Sequence, residues 1–342
     1  MTKRTAVILF NLGGPDKLES VKPFLFNLFN DAAIINIPQP FRWLLAKFIS
    51  FTRENLAKKN YSLIGGFSPI LKGTKEQAKS LEISLNMASK DQYSVFVCMR
   101  HWHPFTEEIA SKVKKDNFDE IILLPLYPQF STTTTGSSIE RWHNISKKIN
   151  LNTITREICC YPADKFFIKA HADLINMAYK KCHKSHPIRI LFSAHGLPQK
   201  VIDRGDPYQH HIESTVKEII KLLPYDNLDY KICYQSKVGP LKWLEPSTEN
   251  SIIEAAKDKI AVLIVPLAFV SEHIETLVEL DLEYKELAKH HGIPGYFRVA
   301  ALGTHKEFIK SLTNLCLEVD NDPKISCSST HKCCLRRGQN CV

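Results

Sequence analysis

The 342 residues are 44% hydrophobic and 24% charged, the balance of a globular protein with a sizeable core in one large domain or two fused ones. The formal charge of +9 comes from lysines spread along the chain, which favours anionic small molecules or anionic lipid surfaces; no nucleic-acid recognition motif is present, and nucleic acid is not expected as a partner. The longest clean apolar run, Ile260–Val270, contains Pro266 and falls far short of the ~20 residues that a membrane span needs. The N-terminus runs straight into a strand-like segment with no small-residue cleavage site, so no signal peptide is expected. Ten cysteines without a secretory signal point to a reducing, cytoplasmic setting and to metal or structural roles for the thiols.

Ala6–Phe10 reads as a buried strand entering the turn Gly13-Gly14-Pro15. The segment 24–53 follows with much apolar material, including Phe41, Trp43, Leu44, Leu45, Phe48 and Phe51 against only Arg42 and Lys47. Two placements fit it, a buried helix or an amphipathic lip beside an apolar ligand or membrane. Gly65-Gly66 and Gly136-Ser137-Ser138 read as loops, and helical patterns cover 74–88, 104–115, 165–181, 210–222 and 249–257. Further strand-like runs occupy 119–126, Ile188–Ala194 and 260–267.

The chain repeats itself once. Ile8-Leu9-Phe10-Asn11-Leu12-Gly13-Gly14-Pro15 resembles the run from Ile190 through His195-Gly196-Leu197-Pro198, and Asp119–Leu126 resembles Asp258–Leu267. The expectation is an α/β fold of two similar Rossmann-like halves, each a parallel sheet flanked by helices, with a ligand cleft between them. The expected boundaries are 1–160, 161–320 and a cysteine-rich tail, 321–342.

His195 closes one strand-like run, and the pair His273-x-Glu275 follows another. Ligands of open α/β sheets bind beyond the carboxyl ends of the strands. An imidazole and a carboxylate placed there can hold a divalent metal loosely or move protons near neutrality. Residues 272–291 read as one α-helix, with Ser271 as N-cap, Glu272 in the first turn and Gly292 as the stop. On it Glu275, Glu279, Glu283 and Glu286 share a ridge. Like charges at that spacing repel, and no basic residue intervenes before Lys285; such a row would attract and pass cations. Neither Gly-x-Gly-x-x-Gly nor Gly-x-Ser-x-Gly occurs, which argues against nucleotide-binding and serine-hydrolase chemistry.

In combination, Leu191-Phe192-Ser193-Ala194-His195-Gly196-Leu197-Pro198, Arg204-Gly205-Asp206-Pro207-Tyr208, Gln235-Ser236-Lys237-Val238-Gly239-Pro240, His273-Ile274-Glu275-Thr276-Leu277, Tyr61-x-x-Ile64-Gly65-Gly66-x-Ser68-Pro69-Ile70 and Thr134-Thr135-Gly136-Ser137-Ser138 resemble the ferrochelatases, from Leu9 to about Phe308. The resemblance implies a lyase that inserts Fe²⁺ into protoporphyrin IX to form protoheme, the last step of heme biosynthesis. It puts His195 and Glu275 beside the porphyrin centre as catalytic residues and candidate ligands of the iron substrate. Glu279 and Glu283 continue a metal or proton path. Arg53, Tyr61 and Ser68 fall at porphyrin contacts, and Arg100 is a candidate propionate partner, while His101 stands where some members carry Tyr. Whether iron first sits on His195 and Glu275, or these only move protons, stays open. So do a chelatase for coproporphyrin or another tetrapyrrole, and a non-catalytic heme or iron carrier. Monomer and homodimer are both compatible, and peripheral contact with an anionic membrane at the inner face is an expectation drawn from the apolar lip.

Cys327, Cys333, Cys334 and Cys341 crowd the tail among His331, Lys332, Arg336 and Arg337, in a spacing unlike that of a zinc finger. Some ferrochelatases carry a [2Fe–2S] cluster on C-terminal cysteines, commonly with one upstream cysteine. The upstream position of the animal pattern falls at Ala170, so that ligand does not transfer; the resemblance leaves open a cluster on the tail alone or with help from Cys159, Cys160 or Cys182, and a disordered or zinc-binding tail is the alternative.

Overall fold

In a computed structural model, residues 2–182 and 186–319 are described, together with the backbone of a short antiparallel pair, Leu335–Arg336 with Gln339–Asn340. The described chain divides into two compact units, one of residues 2–160 and 312–319, the other of residues 161–311.

The first unit contains β1 (Arg4–Asn11), α1 (Val21–Phe29), α2 (Gln39–Ser62), α3 (Ile70–Ala88), β2 (Gln92–Met99), α4 (Thr106–Asp116), β3 (Glu120–Pro125), α5 (Ser137–Lys148) and β4 (Ile154–Glu157). Its sheet is parallel, in the order β2-β1-β3-β4, with Ile8 opposite both Phe96 and Leu123. Ala6–Phe10 are all buried, because an inner strand of a helix-covered parallel sheet has no solvent face to alternate toward. Phe10 meets the edge of Trp142 from α5 at 6.1 Å between ring centres, inside an apolar cluster with Ile121, Leu123 and Ile139.

The second unit contains α6 (Lys165–Cys182), β5 (Ile188–His195), α7 (Gln199–Asp203), α8 (Tyr208–Leu222), β6 (Tyr230–Gln235), α9 (Thr248–Lys257), β7 (Ala261–Pro266), α10 (Tyr284–His290), β8 (Tyr296–Arg298) and the start of α11 (Lys306–Leu317). Its sheet order is β6-β5-β7-β8, again parallel. The two orders are the same when β1 is matched with β5 and β3 with β7, the strands that carry the sequence repeat. The expected pair of helix-flanked parallel sheets is therefore present.

Two local expectations need correction. First, Ser137 and Ser138 are not loop but the first turn of α5, entered through a π-helical turn, Thr132–Gly136. Thr, Gly and Ser favour turns by local preference, but here the Ser131 hydroxyl accepts from the Thr133 N–H and Ser137 Oγ donates to Asp31 at 2.7 Å. Second, 272–291 is not one α-helix capped at Ser271. Glu272 lies outside it, bound to the Arg298 guanidinium and the Ala301 N–H. The helix begins as a π-helical segment, Glu275–Glu283, and becomes α-helical only in α10. Leu280 from the π segment and Ala288 from α10 seat the structure on Leu191, Cys233 and Ile264; full burial of such a leucine contributes about 1.5–3 kcal/mol. Of the two placements that fit the apolar segment, α2 takes the exposed one, with most of its large apolar side chains outside. Its buried residues are Ala46, Ser50 and Tyr61, while Phe41, Leu44, Phe48 and Phe51 point to solvent.

Candidate active site

β5 delivers His195 to the carboxyl end of the sheet, where Tyr208 Oη donates to the His195 carbonyl at 3.0 Å. Burial pushes the Tyr208 phenol well up, so it remains a donor. His195 Nδ1 lies 2.6 Å from the Gly196 carbonyl. A carbonyl only accepts, so Nδ1 carries the hydrogen and Nε2 of the neutral ring keeps its lone pair. That Nε2 is 3.8 Å from Glu275 Oε1, and the side chain is 34% exposed, within reach of a ligand. Phe269 and Trp243 flank the ring at centroid distances of 6.3 and 6.4 Å.

Glu275 starts the π segment. Its second oxygen lies 3.4 Å from Nε2 of His273, which is 5% exposed and packs at a tilt against the Phe269 ring. The His273 N–H donates to Thr276 Oγ1, which fixes the backbone before the π segment. Burial alone would raise the Glu275 carboxyl, but the charge of His195 and the hydrogen bond and charge of His273 overcome it and hold the group down at about 2. The result is a carboxylate gripped between two imidazoles, one buried and one open. This can accept a proton at His195, stabilise the imidazolium that forms, and attract a cation.

The π winding keeps Glu279 and Glu283 close. Burial and the Glu279 charge together raise the Glu283 carboxyl, which lies at the surface. Glu279 does not rest on repulsion. It accepts from the Ser236 N–H at 2.8 Å, Ser236 Oγ at 2.5 Å, Gln235 Nε2 at 3.1 Å and Tyr284 Oη at 2.9 Å. Beyond it, Arg298 pairs with Asp281 and Glu272, so the acidic row does not extend around the segment unneutralised.

In the first unit, Arg53 is exposed on α2, 5.9 Å from the centre of the Phe29 ring, and Tyr61 is buried at the end of the same helix. Ser68 packs against the turn after β1 so closely that a Cβ on Gly14 would lie 2.5 Å from the serine Cβ, which requires glycine there. Ser68 lines a cavity of about 440 Å³ with Gly14 and Leu71, where three lysines of α3, Lys72, Lys75 and Lys79, outnumber two carboxylates, Asp16 and Glu76. Arg100 is already engaged: Nη2 pairs with Asp31 at 2.7 Å, and Nε donates to Ser137 Oγ at 2.7 Å. The neighbouring His101 is buried and its pKa is pushed down to about 3, by loss of water first and the Arg100 charge second, so it is neutral at ordinary pH.

A family model described as Ferrochelatase matches residues 4–319. The chain belongs to the ferrochelatase family. It is 54% identical over 316 residues to a ferrochelatase of Wolbachia sp. subsp. Drosophila simulans, covering 92% of this chain and 99% of the relative. It is 52% identical over 337 residues to a ferrochelatase of Rickettsia felis, covering 97% and 96%. Among solved structures, SirB from Bacillus subtilis with Fe³⁺ shares the fold at a TM-score of 0.56 and 13% identity, over 94% of this chain and 96% of that one.

Within this ferrochelatase-family fold, His195 and Glu275 are brought together as the strand-end pattern anticipates. His273, noticed in sequence only as the neighbour of Glu275, is the second imidazole on that carboxylate. The motif Gln235–Pro240 signals Gln235 and Ser236, while nothing in the sequence marks Tyr284, and no spacing rule tells which carboxylate the three would hold. The tail cysteines Cys327, Cys333, Cys334 and Cys341 lie outside the described residues. Of the described cysteines, Cys98 and Cys233 have thiols pushed up to about 12 by burial, and Cys316 is raised as well, the opposite of a poised thiolate ligand. Cys159, Cys160 and Cys182 are buried too. No described helix is long and apolar enough to cross a membrane.

Proposed function

We propose that His195 takes the pyrrole protons of the porphyrin at Nε2, while Glu275, kept anionic between His195 and His273, stabilises the imidazolium and relays the proton outward. The family reaction is metal chelation: ferrous iron enters the porphyrin, four ring nitrogens replace its other ligands, two N–H protons are lost, and heme forms. The porphyrin in this reading is protoporphyrin. The observation that carries the proton role is the Gly196 carbonyl on Nδ1, which leaves Nε2 as the basic nitrogen facing Glu275. Glu279 and Glu283 are read as the path by which iron arrives or protons leave. One imidazole with one carboxylate is a weak, open ligand set, which suits a metal that must leave the protein. Arg53, Tyr61 and Ser68 are assigned to porphyrin contact. The lysines beside Ser68 suit an acidic ring edge, whereas Arg100 would have to share its guanidinium with Asp31.

His195→Ala should lower iron-dependent loss of porphyrin fluorescence by about 10²–10⁴-fold, the usual worth of a positioned general base, while porphyrin still binds. Turnover near that of the unmodified protein would overturn the assignment.

Two finer readings accompany it. The tail is read as holding a [2Fe–2S] centre through its four cysteines, since thiolates are the usual ligands of such clusters and the six described cysteines are all buried. The exposed apolar stripe of α2, with Arg42 and Lys47 beside it, is read as a peripheral contact with anionic membrane.

A further inference from the structure

We infer that Gln235 is the positioning residue that holds Glu279 and the start of the π segment against β5, the strand that delivers His195, a role that rests on the proton-transfer reading above. Gln235 ends β6, directly opposite His195 in the sheet register, and is 1% exposed. Its side-chain amide reaches two acceptors on the π segment, the Glu275 carbonyl at 3.3 Å and Glu279 Oε2 at 3.1 Å. Both can only accept, so the amide nitrogen must face them and the amide oxygen must face the other way. There it accepts from Ser193 Oγ at 2.8 Å, on β5 two residues before His195, and that hydroxyl also meets Thr248 Oγ1 at 2.8 Å. The amide is thus bonded at both ends and cannot flip without breaking every bond it makes.

The main chain of Gln235 completes the arrangement. Its carbonyl accepts from the Gly196 N–H at 2.8 Å. Gly196 is the residue whose own carbonyl holds His195 Nδ1. A Cβ on Gly196 would come within 3.0 Å of the Gln235 carbonyl and 3.1 Å of the Trp243 ring, so the approach is close. Ser236, next along, adopts φ of 64° without being glycine, and in that left-handed turn aims both its N–H and its hydroxyl at Glu279. One buried glutamine therefore ties β5, β6 and the π segment, and through them the base and the acidic path, into one geometry.

The test uses the whole chain with His195 intact. Gln235→Met keeps the volume and removes every side-chain hydrogen bond. Outer-shell partners of this kind commonly contribute 10–100-fold, so the apparent KM for Fe²⁺ should rise about tenfold or more while porphyrin affinity, read by fluorescence quenching, stays within about twofold. Gln235→Glu keeps the length and the acceptor for Ser193 but sets a second carboxylate against Glu279, and should act in the same direction even if the Met variant folds poorly. The decisive arm is a double-mutant cycle. In a Glu279→Gln background, Gln235→Met should add little further change in iron KM, because its partner is already altered. Additive effects, or an iron KM that does not move in either single variant, would reduce Gln235 to a packing residue. Neither result touches the proton role of His195, which the alanine variant tests separately.

Discussion

His195 spends one ring nitrogen on Gly196 and offers the other beside Glu275, so the working proton has one place to land. That offer depends on Glu275 remaining ionised, and its carboxyl is held at about 2 against an ordinary 4.5, with burial opposing and the two imidazoles prevailing. A carboxyl lowered in the folded state stabilises the fold above its unfolded value, and that stability is lost as pH falls from about 4.5 through about 2. Glu275→Gln should therefore show a shallower loss of melting temperature across that acid window than the unmodified chain. A parallel loss in both would mean that Glu275 is not held down by its histidines. At neutral pH the same variant should lose about 10²-fold or more of its turnover, measured as heme formed from porphyrin and Fe²⁺. His101 offers a contrast on the same physics: buried beside Arg100 and pushed down to about 3, it carries no charge to give or take in the working range.

The π segment and α2 are the two elements whose behaviour departs most from their local pattern. A π-helix is usually a single turn inside an α-helix and often marks a functional site. Here it spans nine residues after β7, and a shorter one, Thr132–Gly136, follows the matching strand β3. The longer one carries the acidic row, anchored inward by Leu280 and outward by Gln235, Ser236 and Tyr284 on Glu279. Over residues 41–51 of α2 the buried residues are the small Ala46 and Ser50, and most of the large apolar ones are exposed. Trp43 is partly structural, edge-on to Phe26 and under Lys47, but Phe48 and Phe51 are 65% and 68% exposed. Phe48→Ser with Phe51→Ser should cut sedimentation with anionic vesicles at least several-fold, and salt should release the unmodified protein, as expected of surface attachment. The thermal melt should hardly move, since these side chains bury little. A collapsed melt, or unchanged vesicle binding, would rule out the membrane reading of this stripe.

At the scale of the whole molecule the chain is a repeated α/β unit whose two copies have diverged in chemistry. The same strand order serves both, yet β5 ends in His195 where β1 ends in Asn11, and only the second copy places a carboxylate at the head of its π segment. The first copy instead turns its polar residues inward, Asn11 to Thr74 and Arg100 to Asp31. The tail is the part that neither copy explains. Anaerobically purified protein should contain iron and acid-labile sulfide in equal amounts and show the visible absorption of a [2Fe–2S] centre, and removal of residues 325–342 should bleach it. Anaerobic protein free of both elements would eliminate the cluster.

Inner parallel strands are apolar on both faces, so β1, β3, β5 and β7 stand out in the sequence as continuous hydrophobic runs, and a histidine or carboxylate just past such a run is recognisable as a site. The helices between them follow from their periodicity, and the family from short motifs in order. Partners made by folding are another matter. An i, i+4 row of carboxylates looks the same in α and π winding, and only the donors of Gln235, Ser236 and Tyr284 show how Glu279 is held. A helix apolar on all sides does not say which side is buried; α2 packs against α1 and has Ala46 and Ser50 buried, a choice that only the fold makes. Arg100 looks like a free cation in sequence and is bound to Asp31 in the fold. Local pattern is carried by neighbours along the chain, whereas the bonds of Gln235 to Glu279, the pair of Arg100 with Asp31 and the His195 share of the depressed Glu275 carboxyl join residues far apart in sequence, and these exist only once the chain has closed on itself.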